Sequence, residues 1–70
     1  MEKVKFLRTR YPAGTKIRLI EMDDSQAPPT GTVGTVKCVD DMGTIHVRWE
    51  TGSTLGLIPE EDRFDVIKEG

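Results

Sequence analysis

The side chains able to do covalent chemistry in this 70-residue chain are few and far apart. His46 is the only histidine, and the two serines, Ser25 and Ser53, lie in turn-forming stretches. Catalysis by such groups needs a nucleophile and a base within hydrogen-bond reach of each other. On a strand, His46 shares a face with Arg48 and Glu50, which gives it no base or nucleophile, and serines in turns usually satisfy backbone groups. We therefore predict no catalytic residue and a non-enzymatic protein.

Metal binding has two candidate sources in the sequence. Acidic doublets at residues 23–24 and 40–41 could hold a hard cation such as Ca²⁺ if their loops met. Neither doublet has the alternating acidic spacing of a calcium loop, and aspartate in a turn ordinarily caps the backbone. Cys38 and His46 supply two soft ligands, whereas structural zinc takes four. We predict no metal site and no cofactor.

Charge is distributed unevenly along the chain. The net charge is −2, but residues 1–18 carry +5 and the remainder carries −7. This asymmetry suits a polyanionic partner, or it reflects a basic first element lying against an acidic body. The residues assigned to the nucleic-acid alternative are Lys3, Lys5, Arg8, Arg10, Lys16, Arg18 and Arg48.

Length and composition predict a single folded domain. Seventy residues support one core, and the 36% apolar content argues against disorder. The lone Cys38 excludes an internal disulfide, which favours a reducing cytoplasm over secretion. No apolar run approaches the length of a membrane span, and the basic N-terminus has no apolar signal block. We expect a soluble cytoplasmic protein that makes no membrane contact.

The apolar spacing changes from a helical period to a period of two after Pro12. Val4, Leu7 and Tyr11 repeat at one helical face, so we predict a helix over residues 2–10 that Pro12 ends. Alternating β-branched runs then predict strands at 16–22, 32–39, 44–50, 54–58 and 63–67. Tight turns are predicted at 40–43 and 50–53, a single helical turn at 59–62, and a bulge or bend at Gly34.

These elements are typical of a mainly β fold, a small SH3-like antiparallel barrel of about five strands with a short N-terminal helix. The segments are 1–12, helical; 13–67, barrel; and 68–70, a frayed tail, all within one domain. The barrel requires one interior shared by Ile17, Leu19, Ile45, Val47, Trp49, Leu55 and Phe64. Leu57 and Val66 are also expected to face it.

The longest loop, residues 22–31, contains a proline pair that stiffens it, and long loops in compact domains are often functional. Trp49 ends the cleanest strand, so it either fills the core or stays partly exposed at the rim as a binding platform. In the second case it would form an amphipathic groove with Tyr11 and the proline pair. The residues assigned to recognition of a protein or peptide are Tyr11, Asp23, Asp24, Pro28, Pro29, His46, Arg48 and Trp49.

Particular motifs resemble a bacterial and phage family of small domains, the domain of unknown function 4314. The motifs are Tyr11-Pro12-Ala13-Gly14-Thr15, Met22-Asp23-Asp24, Pro28-Pro29 with Gly31-Thr32, Val39-Asp40-Asp41, Ile45-His46-Val47, Trp49 with Gly52-Ser53, and Leu57-Ile58-Pro59. The resemblance covers about residues 4–67. Because that family has no established activity, it implies no catalytic residues, only a setting in phage or mobile-element gene sets.

We therefore expect a binding or accessory module that recognises a protein or peptide through the 22–31 loop and the barrel rim. The alternative is a nucleic-acid binder that uses the basic N-terminal segment. A third reading is an inert subunit of a larger assembly, which would carry a large apolar surface patch. The sequence does not choose an oligomeric state.

Overall fold

The computed structural model describes residues 2–68, beginning with helix α1, Glu2–Arg10. The helix was predicted over the same residues, and its Val4 and Leu7 are buried against the sheet. The Tyr11 N–H still donates to the Leu7 carbonyl at 2.8 Å, which completes the last turn. Pro12 then ends the helix, since the residue before proline is disfavoured in the α region.

Four strands form one antiparallel sheet in the order β3-β2-β1-β4. Their bounds are Lys16–Glu21 for β1, Val33–Val39 for β2, Ile45–Trp49 for β3 and Arg63–Val66 for β4. The central strand β1 pairs with β2 on one side and with β4 on the other. The prediction of a mainly β fold with a short N-terminal helix is confirmed.

The predicted fifth strand at 54–58 is not confirmed as a strand. Only Leu57 pairs there, through a bridge in which Leu57 and Ile45 exchange two backbone hydrogen bonds of 2.8 Å. The described sheet is open, so closure into a barrel is not confirmed either. A single helical turn was predicted at 59–62, before β4. The chain does turn there, and the N–H groups of Glu61 and Asp62 donate to the Ile58 carbonyl.

One core fills the space between α1 and the inner face of the sheet. Five of the seven side chains predicted to meet are buried there, and Phe64 packs against them, partly exposed. Of the two leucines expected inside at 54–58, Leu57 is fully buried as predicted, whereas the prediction for Leu55 is wrong: it is half-buried outside the core. Val66 was also expected inside but is 39% exposed, because β4 lies at the edge of the sheet.

The bulge in β2 lies at Lys37 rather than at Gly34. The register with β3 shifts between Val36 and Cys38, so that one extra residue is accommodated on β2. Gly34 instead lies directly across from Trp49 on β3, and a Cβ atom at Gly34 would lie 2.7 Å from the ring carbon Cε3 of Trp49. Glycine is needed there for close packing.

The turn at 40–43 forms as predicted. Gly43 takes a positive φ of 86°, and the Asp40 side chain accepts hydrogen bonds from the N–H groups of Met42 and Thr44. The predicted frayed tail lies mostly outside the described residues, which stop at residue 68. Helix α1, at nine residues, is the longest helix between residues 2 and 68, and none there is long and apolar enough to cross a membrane.

Candidate functional site

A row of polar side chains crosses the outer face of the sheet, opposite the core. Lys16 on β1 lies directly across from Thr35 on β2, and Thr35 lies directly across from Arg48 on β3. Lys16 and Arg48 are exposed. The Lys16 ammonium donates to the Thr35 hydroxyl at 2.7 Å, which holds this lysine over the middle of the row.

Lys37 lies on the same face, two residues after Thr35 along β2. With one extra residue on β2, both Lys37 and Cys38 lie opposite His46, and both are exposed before inward burial resumes at Val39. The bulge therefore directs Cys38, as well as Lys37, to the outer face. The result is a shallow depression of about 460 Å³ lined by Lys16, Thr35, Lys37, Arg48, Trp49 and Glu50.

Arg18 extends the positive charge along β1, two residues from Lys16 on the same exposed face. It lies opposite Asp65 on β4 and Val33 on β2. We name Lys16, Arg18, Lys37 and Arg48 the cationic face. Within residues 2–68, none of these four makes an ion pair within 4.0 Å.

Two of the cations on α1 have carboxylate partners, in contrast to the residues of the cationic face. Lys3 pairs with Glu60, and Arg8 pairs with Asp41 at 2.9 Å while also donating to the Val39 carbonyl. Arg10 stacks over the Tyr11 ring at 6.0 Å. The seven residues of the nucleic-acid alternative therefore separate into two groups, and only Lys16, Arg18 and Arg48 gather on the sheet.

His46 has a partner that sequence reasoning did not assign. Its Nε2 lies 2.8 Å from Oδ2 of Asp40, across the β2–β3 turn. The hydrogen bond with His46, and next that from the Thr44 N–H, lower the pKa of Asp40 below its ordinary value of 3.8. Desolvation opposes this lowering, whereas the Met42 N–H contributes to it. No hydroxyl or thiol in the described part of the chain bonds to the ring, so the pair fixes the turn rather than forming a catalytic triad.

The lowered pKa of Asp40 predicts a specific acid sensitivity. A group with a depressed folded-state pKa contributes stability that is complete above its unfolded value and is lost as the pH falls through the folded value. Compared with the Asp40→Asn variant, the natural chain should therefore have a stability advantage that is present above pH 3.8 and is lost as the pH falls below that value.

Urea midpoints of both proteins across this pH range measure the effect. The control is Asp23→Asn, since Asp23 is exposed and its side chain makes no hydrogen bond in residues 2–68. A pH-independent difference for Asp40→Asn would show that the bond to His46 does not depend on the carboxylate charge.

The residues assigned to peptide recognition do not form one surface. Trp49 is 1% exposed and its Nε1 donates to the Leu55 carbonyl at 2.9 Å, so it fills the core rather than serving as a platform. Pro28 is buried and Pro29 is exposed. Tyr11 packs edge-on against Phe64 with 5.3 Å between ring centroids.

The other assigned residues are also dispersed. His46 and Arg48 lie on the outer sheet face, as the alternation predicted. Asp23 borders a small depression with Glu61 and Asp62, and Asp24 caps its own loop by accepting the Gln26 N–H at 2.7 Å.

A second depression, about 440 Å³, lies beside β4. Its apolar lining comes from Tyr11, Ile20, Pro59 and Phe64, and its charged rim from Asp62, Arg63 and Asp65. Of these residues, only Tyr11 was assigned from the sequence to binding. The bulge at the end of β1, which leaves Ile20 40% exposed, is what opens this groove.

Metal ligands do not gather in the part of the chain that the structure describes. No group of three or more His, Cys, Asp or Glu side chains there is placed to share an ion. Chemically, the cationic face offers ammonium and guanidinium donors over a flat polar surface. Such a face can bind phosphate or carboxylate oxygens without reading a particular side chain or base.

The fold and this face define a small helix-and-sheet β protein with an open cationic surface. The family model of DUF4314, a domain of unknown function, matches residues 1–67, and the chain belongs to this family. The resemblance inferred from the motifs is thereby confirmed. Neither a curated protein nor a solved structure matches the chain.

Proposed function

We propose that the protein is a non-enzymatic module that binds the sugar-phosphate backbone of a nucleic acid on its cationic face. The observation that carries this proposal is the convergence of four exposed cations from three adjacent strands, unpaired among residues 2–68, on a chain of net charge −2. Charges kept free of carboxylate partners on an acidic protein favour an external anion.

The face favours backbone contacts over base stacking. Binders of single strands combine a positive track with aromatic platforms, whereas Trp49, the nearest aromatic ring, is buried beneath the sheet. Lysine and arginine contacts to phosphate are independent of sequence. We expect the ligand to be a duplex whose phosphates lie across the strands.

Salt dependence tests the proposal. If all four cations contact phosphates, the slope of log affinity against log salt should be about −3.6 per chain, so affinity falls about 150-fold between roughly 50 and 200 mM salt. Replacing Lys16 and Arg48 by glutamine should halve the slope. Anisotropy of a labelled mixed-sequence DNA duplex measures both values.

The matched control is Lys5→Gln with Arg10→Gln, which removes the same charge from α1. The slope of this variant should stay close to that of the natural chain. An equal loss in the helix variant would move the interface to α1, and an affinity that does not respond to salt would contradict backbone binding altogether.

Recognition of an extended peptide is a second candidate function, favoured by the groove beside β4. Its two aromatic rings, Tyr11 and Phe64, and its carboxylates, Asp62 and Asp65, suit a peptide with apolar and basic residues. Such binding would depend little on the cationic face, so the Lys16 and Arg48 variant separates the two candidates.

We also propose that the open sheet is the main part of an SH3-like barrel. The pairing of β1 with both β2 and β4, the bridge from Leu57 to β3, and the turn before β4 support this assignment. An exposed single cysteine suits a reducing cytoplasm, and the family resemblance supports a bacterial or phage setting.

A further inference from the structure

Strand β4 presents one side of its backbone outward at the edge of the sheet. The Ile67 N–H donates to the Lys16 carbonyl, so Ile67 and, two residues earlier, Asp65 direct their backbone groups toward β1. The N–H and C=O groups of Phe64 and Val66 consequently point away from β1. No strand of the described chain takes them up.

The side chains along this edge are complementary to themselves. Arg63 and Asp65 lie on the outer face, two residues apart, with Phe64 between them on the inner face opposite Leu19. In a two-fold antiparallel pairing centred on Phe64, Arg63 of each copy lies opposite Asp65 of the other. The same register places the two Phe64 rings side by side and lets the two Phe64 residues exchange backbone hydrogen bonds.

Neighbouring registers lack these reciprocal pairs. A pairing centred on Asp65 would place two carboxylates opposite each other, which is destabilising. A pairing centred on Val66 places Asp65 opposite Ile67, so that the ion pair with Arg63 is lost. Charge therefore selects one register, in the way that cross-strand pairs specify natural sheets.

We propose that two copies of this chain pair edge to edge through β4, in the antiparallel register centred on Phe64. Charge complementarity favours a second copy of the chain as the partner of this edge, because β4 itself carries both Arg63 and Asp65, the two members of the intermolecular ion pair. Edge strands are commonly kept short and charged to prevent open-ended association. Here the two-fold axis closes the assembly after two copies.

The pairing would extend the sheet across both copies, in the order β3-β2-β1-β4-β4-β1-β2-β3. A two-fold axis perpendicular to the sheet keeps both outer faces on the same side. The dimer would present two cationic faces as one surface, with eight cations in place of four. Its consequence for DNA binding rests on the proposed function. The salt slope against duplex DNA would be about −7 per dimer.

Sedimentation equilibrium without nucleic acid tests the dimer separately from DNA binding. The natural chain should shift from monomer to dimer mass between about 5 and 500 µM, as for a small interface. Either Arg63→Asp or Asp65→Arg alone should weaken association at least about tenfold, because each creates two like-charge pairs. The double exchange, Arg63→Asp with Asp65→Arg, should restore the natural affinity to within about threefold.

Glu50→Arg provides the matched control, since it has the same charge change as Asp65→Arg but lies beyond the end of β3, at the far side of the sheet. Its association should equal that of the natural chain. Within one chain the double exchange also places an arginine at position 65 opposite Arg18 and an aspartate at position 63 opposite Glu21, so its urea midpoint is compared with that of the natural chain. A natural chain that stays monomeric throughout, or an exchange variant that keeps the natural midpoint but fails to restore pairing, overturns the proposal. The first result would make a peptide the occupant of the edge. DNA binding by such a monomer would leave the proposed function intact.

A cross-linking experiment gives an independent measurement. In a Cys38→Ser background, Arg63→Cys with Asp65→Cys places cysteines at facing positions between the hydrogen-bonded pairs, where the Cα separation of about 4.5 Å suits a disulfide. Oxidation should give a covalent dimer. A monomeric product at concentrations that give the dimer mass would exclude this register.

Discussion

Replacing Trp49 by alanine should destabilise the fold more than Val47→Ala or Gly34→Ala. The side chain is 1% exposed, among the largest in the core, and it is anchored by its hydrogen bond to the Leu55 carbonyl. Truncation of a buried tryptophan costs about 3 to 5 kcal/mol. A domain of this size has a total stability of roughly 4 to 10 kcal/mol, so the substitution removes much or all of it.

Circular dichroism and urea unfolding measure the outcome. Trp49→Phe is the control, because it keeps an aromatic ring in the core and loses only the indole hydrogen bond and part of the volume. It should fold with an intermediate midpoint. A well-folded Trp49→Ala variant that merely lost binding would instead support the platform role that burial argues against.

Adding a single methyl group at Gly34 should destabilise the protein by about 1 to 3 kcal/mol. A Cβ atom there would lie 2.7 Å from Cε3 of Trp49 and closer still to the Val47 side chain. Both neighbours are core residues that have little room to move. Urea unfolding of Gly34→Ala measures the loss.

Truncating Val47, the side chain nearest to the added methyl group, tests whether crowding causes the destabilisation by Gly34→Ala. In a Val47→Ala background, the same change at Gly34 should cost less than it does in the natural chain, giving a favourable coupling between the two sites. Equal costs in both backgrounds would point to the backbone of β2 rather than to packing. Gly34→Ala would then act through strand propensity alone.

The elements that sequence reasoning located correctly are those with a strong local period. Helix α1 follows from the spacing of Val4 and Leu7, and β3 from the alternation that ends at Trp49. The turn at 40–43 follows from aspartate and glycine. In each case the residues that determine the structure are close in sequence, so the pattern is readable without knowing what packs against it.

The errors arise where pairing between distant segments decides the outcome. Leu55 and Leu57 are equivalent by period two, and only the bridge from Leu57 to Ile45 places Leu57 inside. The bulge after Val36 interrupts the alternation without a glycine to mark it, and Lys37 lay outside the basic N-terminal stretch from which, apart from Arg48, the basic set was drawn.

The candidate sites show the same limit. The contact between His46 and Asp40 crosses a turn and depends on a rotamer, which composition does not reveal. Three members of the cationic face were in the basic set, but their grouping requires the register of three strands. The burial of Pro28 and Trp49 likewise depends on the path of the whole chain.

The extra residue in β2 has a consequence for engineering. Because the bulge absorbs position 37 outside the ladder, its side chain contributes to the surface without belonging to the alternation that fills the interior. Lys37 can therefore be replaced by an aromatic or an acidic residue while Val36 and Val39 stay buried in the core. We expect substitutions at position 37 to change which ligands the cationic face prefers without changing the stability of the fold.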